Sequence, residues 1–130
     1  MRLFLFLAII LSGVRLYAQT APVDSCSINP SQVAFFQGFE NRSIIKTREL
    51  NKIIRLVSDD KDIKIVGFTF SIDPGDDIYV RRVYSDTLSI QEAYPIRKMK
   101  KGYLISFGCI NGVDRKGDLV CLKPFIFFIK

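Results

Sequence analysis

Two apolar, β-rich runs occupy the last third of the chain, Tyr103-Leu104-Ile105-Ser106-Phe107-Gly108-Cys109-Ile110 and Leu119-Val120-Cys121-Leu122-Lys123-Pro124-Phe125-Ile126-Phe127-Phe128-Ile129-Lys130. Residues 111–118 between them are rich in Gly, Asn and Asp, which tolerate the positive φ of tight turns, so the stretch predicts a β-hairpin. The final run is apolar at both odd and even positions. This pattern predicts a strand in a sheet covered on both faces, or at a buried contact, and a central position rather than an exposed edge.

The first eighteen residues have the features of a secretory signal peptide, with a basic start, an apolar run from Leu3 to Leu11 and a small residue, Ala18, before the expected cleavage point. The apolar run is short for a bilayer span and Arg15 interrupts its extension, so an uncleaved signal anchor is the less favoured alternative. Cleavage would lower the formal net charge from +6 to +4, which does not require a nucleic-acid partner. We therefore expect an exported protein, periplasmic or secreted, without a membrane span in its mature form.

The rest of the chain divides into a leader and one domain. Residues 19–32 are rich in Pro, Ser, Asn and Asp and lack periodicity, which predicts a flexible leader. Residues 33–130 are long enough to bury one hydrophobic core, and we expect their first strand at Val33–Phe39.

Three cysteines in an exported chain favour one disulfide and one free thiol. Cys109 and Cys121 lie on the two predicted hairpin arms and form the candidate pair, while Cys26 could pair elsewhere. A three-residue loop centred on Arg115 would place Cys109 opposite Cys121, and a two-residue loop would place it opposite Leu122. The sequence leaves both registers open, as it does a third possibility, three unpaired thiols packed as small hydrophobic groups.

Residues 47–57 carry the clearest helical pattern, because apolar side chains recur at Leu50, Ile53, Ile54 and Val57. Thr47 is a suitable N-cap for this helix. We therefore expect one amphipathic α-helix here. A shorter helical turn within residues 90–94 is one alternative for a segment whose pattern is otherwise undecided.

Positive charge is concentrated in two places, on the polar face of the predicted helix and just before Gly102. We take these side chains together as a candidate interaction face for an acidic partner, and a solvated surface is the simpler alternative. The face comprises Arg48, Lys52, Arg55, Arg97, Lys98, Lys100 and Lys101.

The strand pattern between residues 63 and 72 slips by one position at Val66-Gly67, which predicts a β-bulge at the glycine. Residues 73–77 contain proline, glycine and three aspartates, a composition typical of a turn. Calcium binding is the less favoured interpretation because the spacing lacks the full ligand series of an EF-hand loop.

The chain lacks the residue patterns of most enzymes. It has no histidine, no Cys-x-x-Cys pair and no glycine-rich phosphate-binding motif. Paired carboxylates such as Asp73 and Asp77 could support acid–base chemistry, but nothing in the sequence marks a pocket around them. We expect a protein that is not an enzyme and that uses neither a cofactor nor a metal.

Several of these features occur in an order that resembles the C-terminal periplasmic domain of GldM-type gliding-motility and type IX secretion proteins. The resemblance covers about the last 85 residues, from Ile45 onward. It rests on Lys46-Thr47-Arg48-Glu49-Leu50, on Phe68-Thr69-Phe70-Ser71 and on the stretch from Ile96 to Phe107, and it continues through Ile110, Gly117, Leu122, Phe125 and Phe127.

The resemblance implies a mainly β fold, an Ig-like β-sandwich with one helix packed on it, over residues 33–130. In that family the domain is the distal tip of a periplasmic shaft driven from the inner membrane, and it is thought to contact an outer-membrane-associated ring. This chain has one predicted domain behind a signal peptide, so it cannot be a motor by itself. Cys109 and Cys121 stand where the family pattern is usually polar, so a disulfide would be a local addition.

The expected function is therefore an exported, non-enzymatic protein-interaction module. The resemblance points to a partner in the cell envelope and to an accessory role in type IX secretion or gliding. A secreted ligand-binding or inhibitory β-sandwich is the alternative, because a fold alone does not set function.

Overall fold

A computed structural model describes residues 28–130, the side chain of Pro30 excepted. The predicted signal peptide, residues 1–18, and residues 19–27 of the predicted leader lie outside the described residues. The described elements are β1 (Ile28–Phe36), β2 (Ile44–Ile45), a 3-10 helix (Thr47–Lys52), β3 (Leu56–Ser58), β4 (Lys64–Asp73), β5 (Tyr79–Val83), α1 (Ile90–Arg97), β6 (Leu104–Val113), β7 (Leu119–Lys123) and β8 (Phe125–Ile129).

The sheet is built around β6. One edge of β6 pairs antiparallel with β4 along most of its length, and the other pairs antiparallel first with β8 and then with β7. Short parallel pairings add β1 to β7 and β2 to β8, while β3 extends β1 and β5 extends β4. The result is a mixed, curled, sandwich-like sheet, which confirms the expected mainly β class.

The curled sheet encloses a cluster of phenylalanines, and Phe107 of β6 lies at its centre. The ring of Phe36 on β1 lies 4.9 Å from that of Phe107, centroid to centroid, and the ring of Phe125 stacks on Phe107 at the same distance. The rings of Phe68 and Phe127 lie 6.1 Å from that of Phe107, and the ring of Phe70 lies 6.3 Å from it. Pairs of this kind contribute about 0.5–1.5 kcal/mol each beyond the burial of their area.

The closing hairpin has a three-residue loop centred on Lys116. Asp114 N donates to Asp118 O at 3.1 Å, and Gly117 N donates to Asp114 O at 3.0 Å. Gly117 has a φ of +85°, a conformation that glycine adopts without steric cost. The hairpin is confirmed, but both of its expected registers are wrong by at least one residue.

This register explains why the expected Cys109–Cys121 disulfide is wrong. Cys121 lies opposite Asn111, two residues further along β6 than Cys109, which is an exposed free thiol. Cys121 is disulfide-bonded. Cys26, the third cysteine of the chain, lies outside the described residues.

The predicted bulge at Val66-Gly67 is confirmed. Ile65 pairs with Gly112 and Gly67 with Asn111, so β4 carries one extra residue there. A second irregularity follows on β6, where Cys109 has a φ of +45°, and it restores the pairing from Thr69 onward. Each strand thus has one extra residue, so beyond the bulges the side chains of both strands alternate in the opposite phase. The two strands remain paired.

The expected helix over residues 47–57 is wrong. A 3-10 helix of six residues forms instead, its N-cap is Lys46 rather than Thr47, and the chain then enters β3. Leu56 pairs with Phe36 of β1, and this tertiary pairing overrides the helical periodicity of the segment. Ile54, expected on the buried face, is exposed.

The α-helix lies instead in the segment whose pattern was undecided. Ser89 caps α1, since its Oγ accepts from Glu92 N at 3.2 Å while Ser89 N donates to Glu92 Oε2 at 3.3 Å. This Ser-x-x-Glu capping box was present in the sequence and is the signal that predicts the helix start. The helix continues through Pro95 for two more residues.

The structure also corrects both ends of β1 and tests the predictions for β8 and for residues 73–77. β1 begins at Ile28, so residues 28–32 are strand rather than flexible leader, and it ends at Phe36 rather than Phe39. β8 lies between β6 and β2, which confirms its predicted position inside the sheet, but the expected cover on both faces is wrong, because Ile126 and Phe128 are 52% and 47% exposed. The turn at residues 73–77 is confirmed by the hydrogen bond from Gly75 N to Asp73 Oδ1, at 2.8 Å.

Candidate functional site

The two predicted basic clusters meet at the end of β8. Thr47 N donates to Lys130 O at 3.4 Å and Lys130 N donates to Ile45 O at 2.9 Å, which attaches the entry of the 3-10 helix to the last residues of the chain. Gly102 N donates to Ile129 O at 2.9 Å, so the turn after α1 is attached at the same place. Backbone pairing therefore brings together cations that lie about fifty residues apart in sequence.

Packing of the 3-10 helix against α1 holds the two clusters in place. Leu50 of the 3-10 helix and Ala93 and Ile96 of α1 are buried in the core. Met99, in the middle of the second cluster, is also buried, and Met99 N donates to Ile96 O at 3.1 Å. Because the apolar side chains face inward, the neighbouring lysines remain in solvent.

We call the resulting surface the basic end. All of its members are exposed, and they carry eight positive charges. The basic end comprises Lys46, Arg48, Lys52, Arg97, Lys98, Lys100, Lys101 and Lys130. Lys46, Thr47, Arg48 and Lys130 line an open groove of about 460 Å³ on this surface.

Sequence reasoning missed Lys46 and Lys130. Each is a single cation beside an apolar β segment, and such isolated charges are usually only solubilising. Their place in the basic end depends on the parallel pairing of β2 with β8, a long-range contact that local patterns do not report.

Arg55 was expected on this face, but the structure does not place it there. Its Nε donates to Asp86 Oδ2 at 3.0 Å, and its backbone forms an isolated bridge with Thr87, in the segment between β5 and α1. The charge of Arg55 is thus compensated by a carboxylate, and we exclude it from the basic end.

The two glutamates of the 3-10 helix and α1 already have hydrogen-bond partners within the domain. Glu49 Oε1 and Oε2 accept from Arg42 Nη1 and Nη2 at 3.1 and 2.9 Å, and Glu49 Oε2 also accepts from Lys46 N at 3.0 Å. The bonds from Arg42, supported by that from Lys46, lower the pKa of Glu49 to about 2. Glu92 caps α1. Neither acid forms an ion pair with a member of the basic end.

The basic end can attract and hold negative charge. Within residues 28–130 there is no group of three or more Cys, Asp or Glu side chains that could hold a metal ion. None of the helices in the same range is long and apolar enough to cross a membrane. A dense set of exposed cations with an open groove suits the acidic surface of a macromolecule.

The chain was also compared with known proteins. It matches no protein-family model and no curated protein.

Proposed function

We propose that the protein is an exported, non-enzymatic interaction module whose basic end binds an acidic surface of a protein in the cell envelope. The observation that carries this proposal is the convergence of two separate basic segments on residues 129–130. Eight exposed cations at one end of a small domain produce a positive potential that speeds the encounter with an acidic partner and orients it.

The electrostatic repulsion among the cations of the basic end supports the proposal. Like charges that share one surface repel one another, and of the two glutamates on these elements Glu49 pairs with Arg42, outside the basic end, while Glu92 caps α1. A bound acidic partner would relieve this repulsion. The sequence resemblance to GldM-type domains extends the proposal to an accessory role in type IX secretion or gliding.

The test compares two triple variants that change the net charge equally. Lys98→Glu/Lys100→Glu/Lys101→Glu reverses part of the basic end, whereas Lys61→Glu/Lys64→Glu/Lys116→Glu reverses exposed lysines at the opposite end of the sheet. Immobilised wild type and both variants are incubated with envelope extract, washed with rising salt and analysed by quantitative mass spectrometry.

We expect wild type and the control triple variant to retain the same acidic envelope protein, and the basic-end variant to lose it. Binding should also weaken as salt increases, because screening reduces attraction between exposed charges. Equal recovery of that protein by both triple variants would contradict the proposal, as would failure of wild type to retain any envelope protein.

A further inference from the structure

Three exposed apolar side chains lie together on the outer face of β2 and β8. Ile44 of β2 pairs with Phe128 of β8, and their side chains are 48% and 47% exposed. Ile126, two residues earlier on β8, is 52% exposed. Because residues i and i+2 of a strand point to the same face, the three side chains form one surface. We call Ile44, Ile126 and Phe128 the apolar patch.

The same face continues directly into the basic end. Lys46 and Lys130 each follow a buried isoleucine, and both are exposed. Each cation therefore shares a face with the apolar residue two positions before it, about 6.7 Å away along the strand. Lys130 N donates to Ile45 O at 2.9 Å, so the two strands stay paired up to the cations. Both lysines line the open groove with Thr47 and Arg48, which makes the groove and the apolar patch adjoining parts of one surface.

The neighbouring strand β6 adds no charge beside the apolar patch. Leu104 lies opposite Phe128 and Ser106 lies opposite Ile126, and both are partly exposed. The hydroxyl of Ser106 is hydrogen-bonded to that of Ser71 on β4. The apolar patch is thus bordered by cations at the end of its strands and by uncharged side chains on β6.

This arrangement restricts the chemistry of a ligand that covers it. A wholly polar acidic surface docked on Lys46 and Lys130 would also cover the apolar patch, where its polar groups would lose water without gaining hydrogen bonds. A wholly apolar ligand would leave the lysines unpaired. A ligand that carries apolar side chains next to carboxylates satisfies both parts, with an apolar centre and a charged rim.

The form of the apolar patch favours a protein ligand. Each of its side chains is about half covered by the sheet that carries it, so it does not project far enough to insert into a bilayer. Along β8 the outer face reads Ile126, Phe128, Lys130, which is apolar, apolar and basic at every second residue. An extended segment that reads apolar, apolar and acidic at the same spacing complements this row.

We propose that the apolar patch and the groove together bind one segment of the acidic partner, in which apolar side chains adjoin carboxylates. The apolar side chains cover Ile44 and Phe128, while the carboxylates face Lys46 and Lys130. This inference rests on the proposed function, because it names the chemistry of the partner segment that the basic end receives.

The test uses two fluorescein-labelled peptides of equal charge. One is Leu-Ser-Phe-Ser-Asp-Ser-Asp-Asp, and the other has serine in place of its leucine and phenylalanine. Fluorescence anisotropy measures the affinity of each at low and at rising salt. We expect wild type to bind the first peptide at least about tenfold more tightly, because only this peptide buries the apolar patch.

The substitutions separate the two parts of the surface. Ile44→Ser/Phe128→Ser should bind both peptides equally, with the affinity that wild type has for the serine peptide. Lys46→Ser/Lys130→Ser should weaken the binding of both peptides. Ile78→Ser/Val80→Ser is the matched control, since it removes two exposed apolar side chains at and just before β5, beyond β4 and β6, and should bind like wild type. Thermal melting should show that all three variants keep the fold.

The outcomes distinguish this inference from the proposed function. Equal affinity of wild type for the two peptides overturns the inference and leaves the proposed function standing, whereas no binding of either peptide at low salt counts against both. A preference that survives in Ile44→Ser/Phe128→Ser also overturns the inference. Vesicles of phosphatidylglycerol and phosphatidylcholine form a further arm. If they bind wild type more tightly than the first peptide does, and Ile44→Ser/Phe128→Ser abolishes this, the surface binds lipid and the inference is wrong.

Discussion

The strands β8 and β5 have the same length but differ in their neighbours and in their burial. β8 has a neighbour on each side, β6 and β2, and buries Phe127 and Ile129 almost completely. β5 has β4 alone among the described strands, and its apolar side chains before Val83 are largely exposed. The strand with two neighbours and five apolar residues buries one face, whereas the strand with one neighbour and two arginines buries only its last residue.

The largest expected effect comes from the same substitution made in β8 and at the residue just before β5. Ile129→Ala removes a fully buried side chain and should lower the free energy of unfolding by about 2–5 kcal/mol. Ile78→Ala removes an exposed one and should change it by no more than about 0.5 kcal/mol. Denaturant unfolding at low protein concentration measures both, and comparable losses would contradict the contrast.

A smaller difference in the free energy of unfolding is expected between alanine substitutions at two glycines of β6, the strand that lies between β4 and β8. A Cβ at Gly112 would lie 2.5 Å from Ile63 Cγ2 and 3.3 Å from Lys64 O, so Gly112→Ala should cost about 1–3 kcal/mol. A Cβ at Gly108 would meet nothing closer than Pro124 Cβ at 3.9 Å. Gly108→Ala should therefore be nearly neutral by the same measurement, and the reverse order would show that β6 packs differently.

The smallest effect concerns the ion pair between Arg42, which precedes β2, and Glu49 of the 3-10 helix. Arg42 donates both to Glu49 and to Ile44 O, the latter at 3.2 Å. The folded pKa of Glu49, about 2, lies below its ordinary value of 4.5. The carboxylate thus stabilises the fold above the ordinary pKa, and this contribution is lost as the pH falls from about 4.5 to about 2.

Thermal melting over this pH range checks the expectation. Glu49→Gln should melt below wild type at neutral pH, and the difference should shrink as the solution is acidified. Glu40→Gln removes an exposed carboxylate outside the described ion pairs and should show no such convergence. A pH-independent difference for Glu49→Gln would mean that the Arg42–Glu49 ion pair does not stabilise the fold.

Features with a local cause were predictable from sequence. The phase slip at Gly67 predicted its bulge, and the proline, glycine and aspartates of residues 73–77 predicted their turn. The doubly apolar final run predicted an interior strand. In each case the pattern and the structure share one cause, the alternation of a strand or the φ preference of a turn residue.

The errors share a different cause. Residues 47–57 do have helical periodicity, but Leu56 pairs with β1 as a strand residue. Local sequence does not report that long-range contact. The disulfide prediction failed because a hairpin register depends on where the loop is centred. For the candidate site, six of the seven predicted cations lie in the basic end, and Arg55 is instead paired with Asp86.

The sequence by itself determined the closing hairpin, the turn at residues 73–77 and the bulge at Gly67, because alternation and backbone preference act within a few residues. It also determined that cations are concentrated in two segments. Only the tertiary structure decided that these segments share one surface and that β5 keeps an open edge. Both outcomes depend on which strands pair, and pairing is selected by burial of the whole phenylalanine core rather than by any one segment.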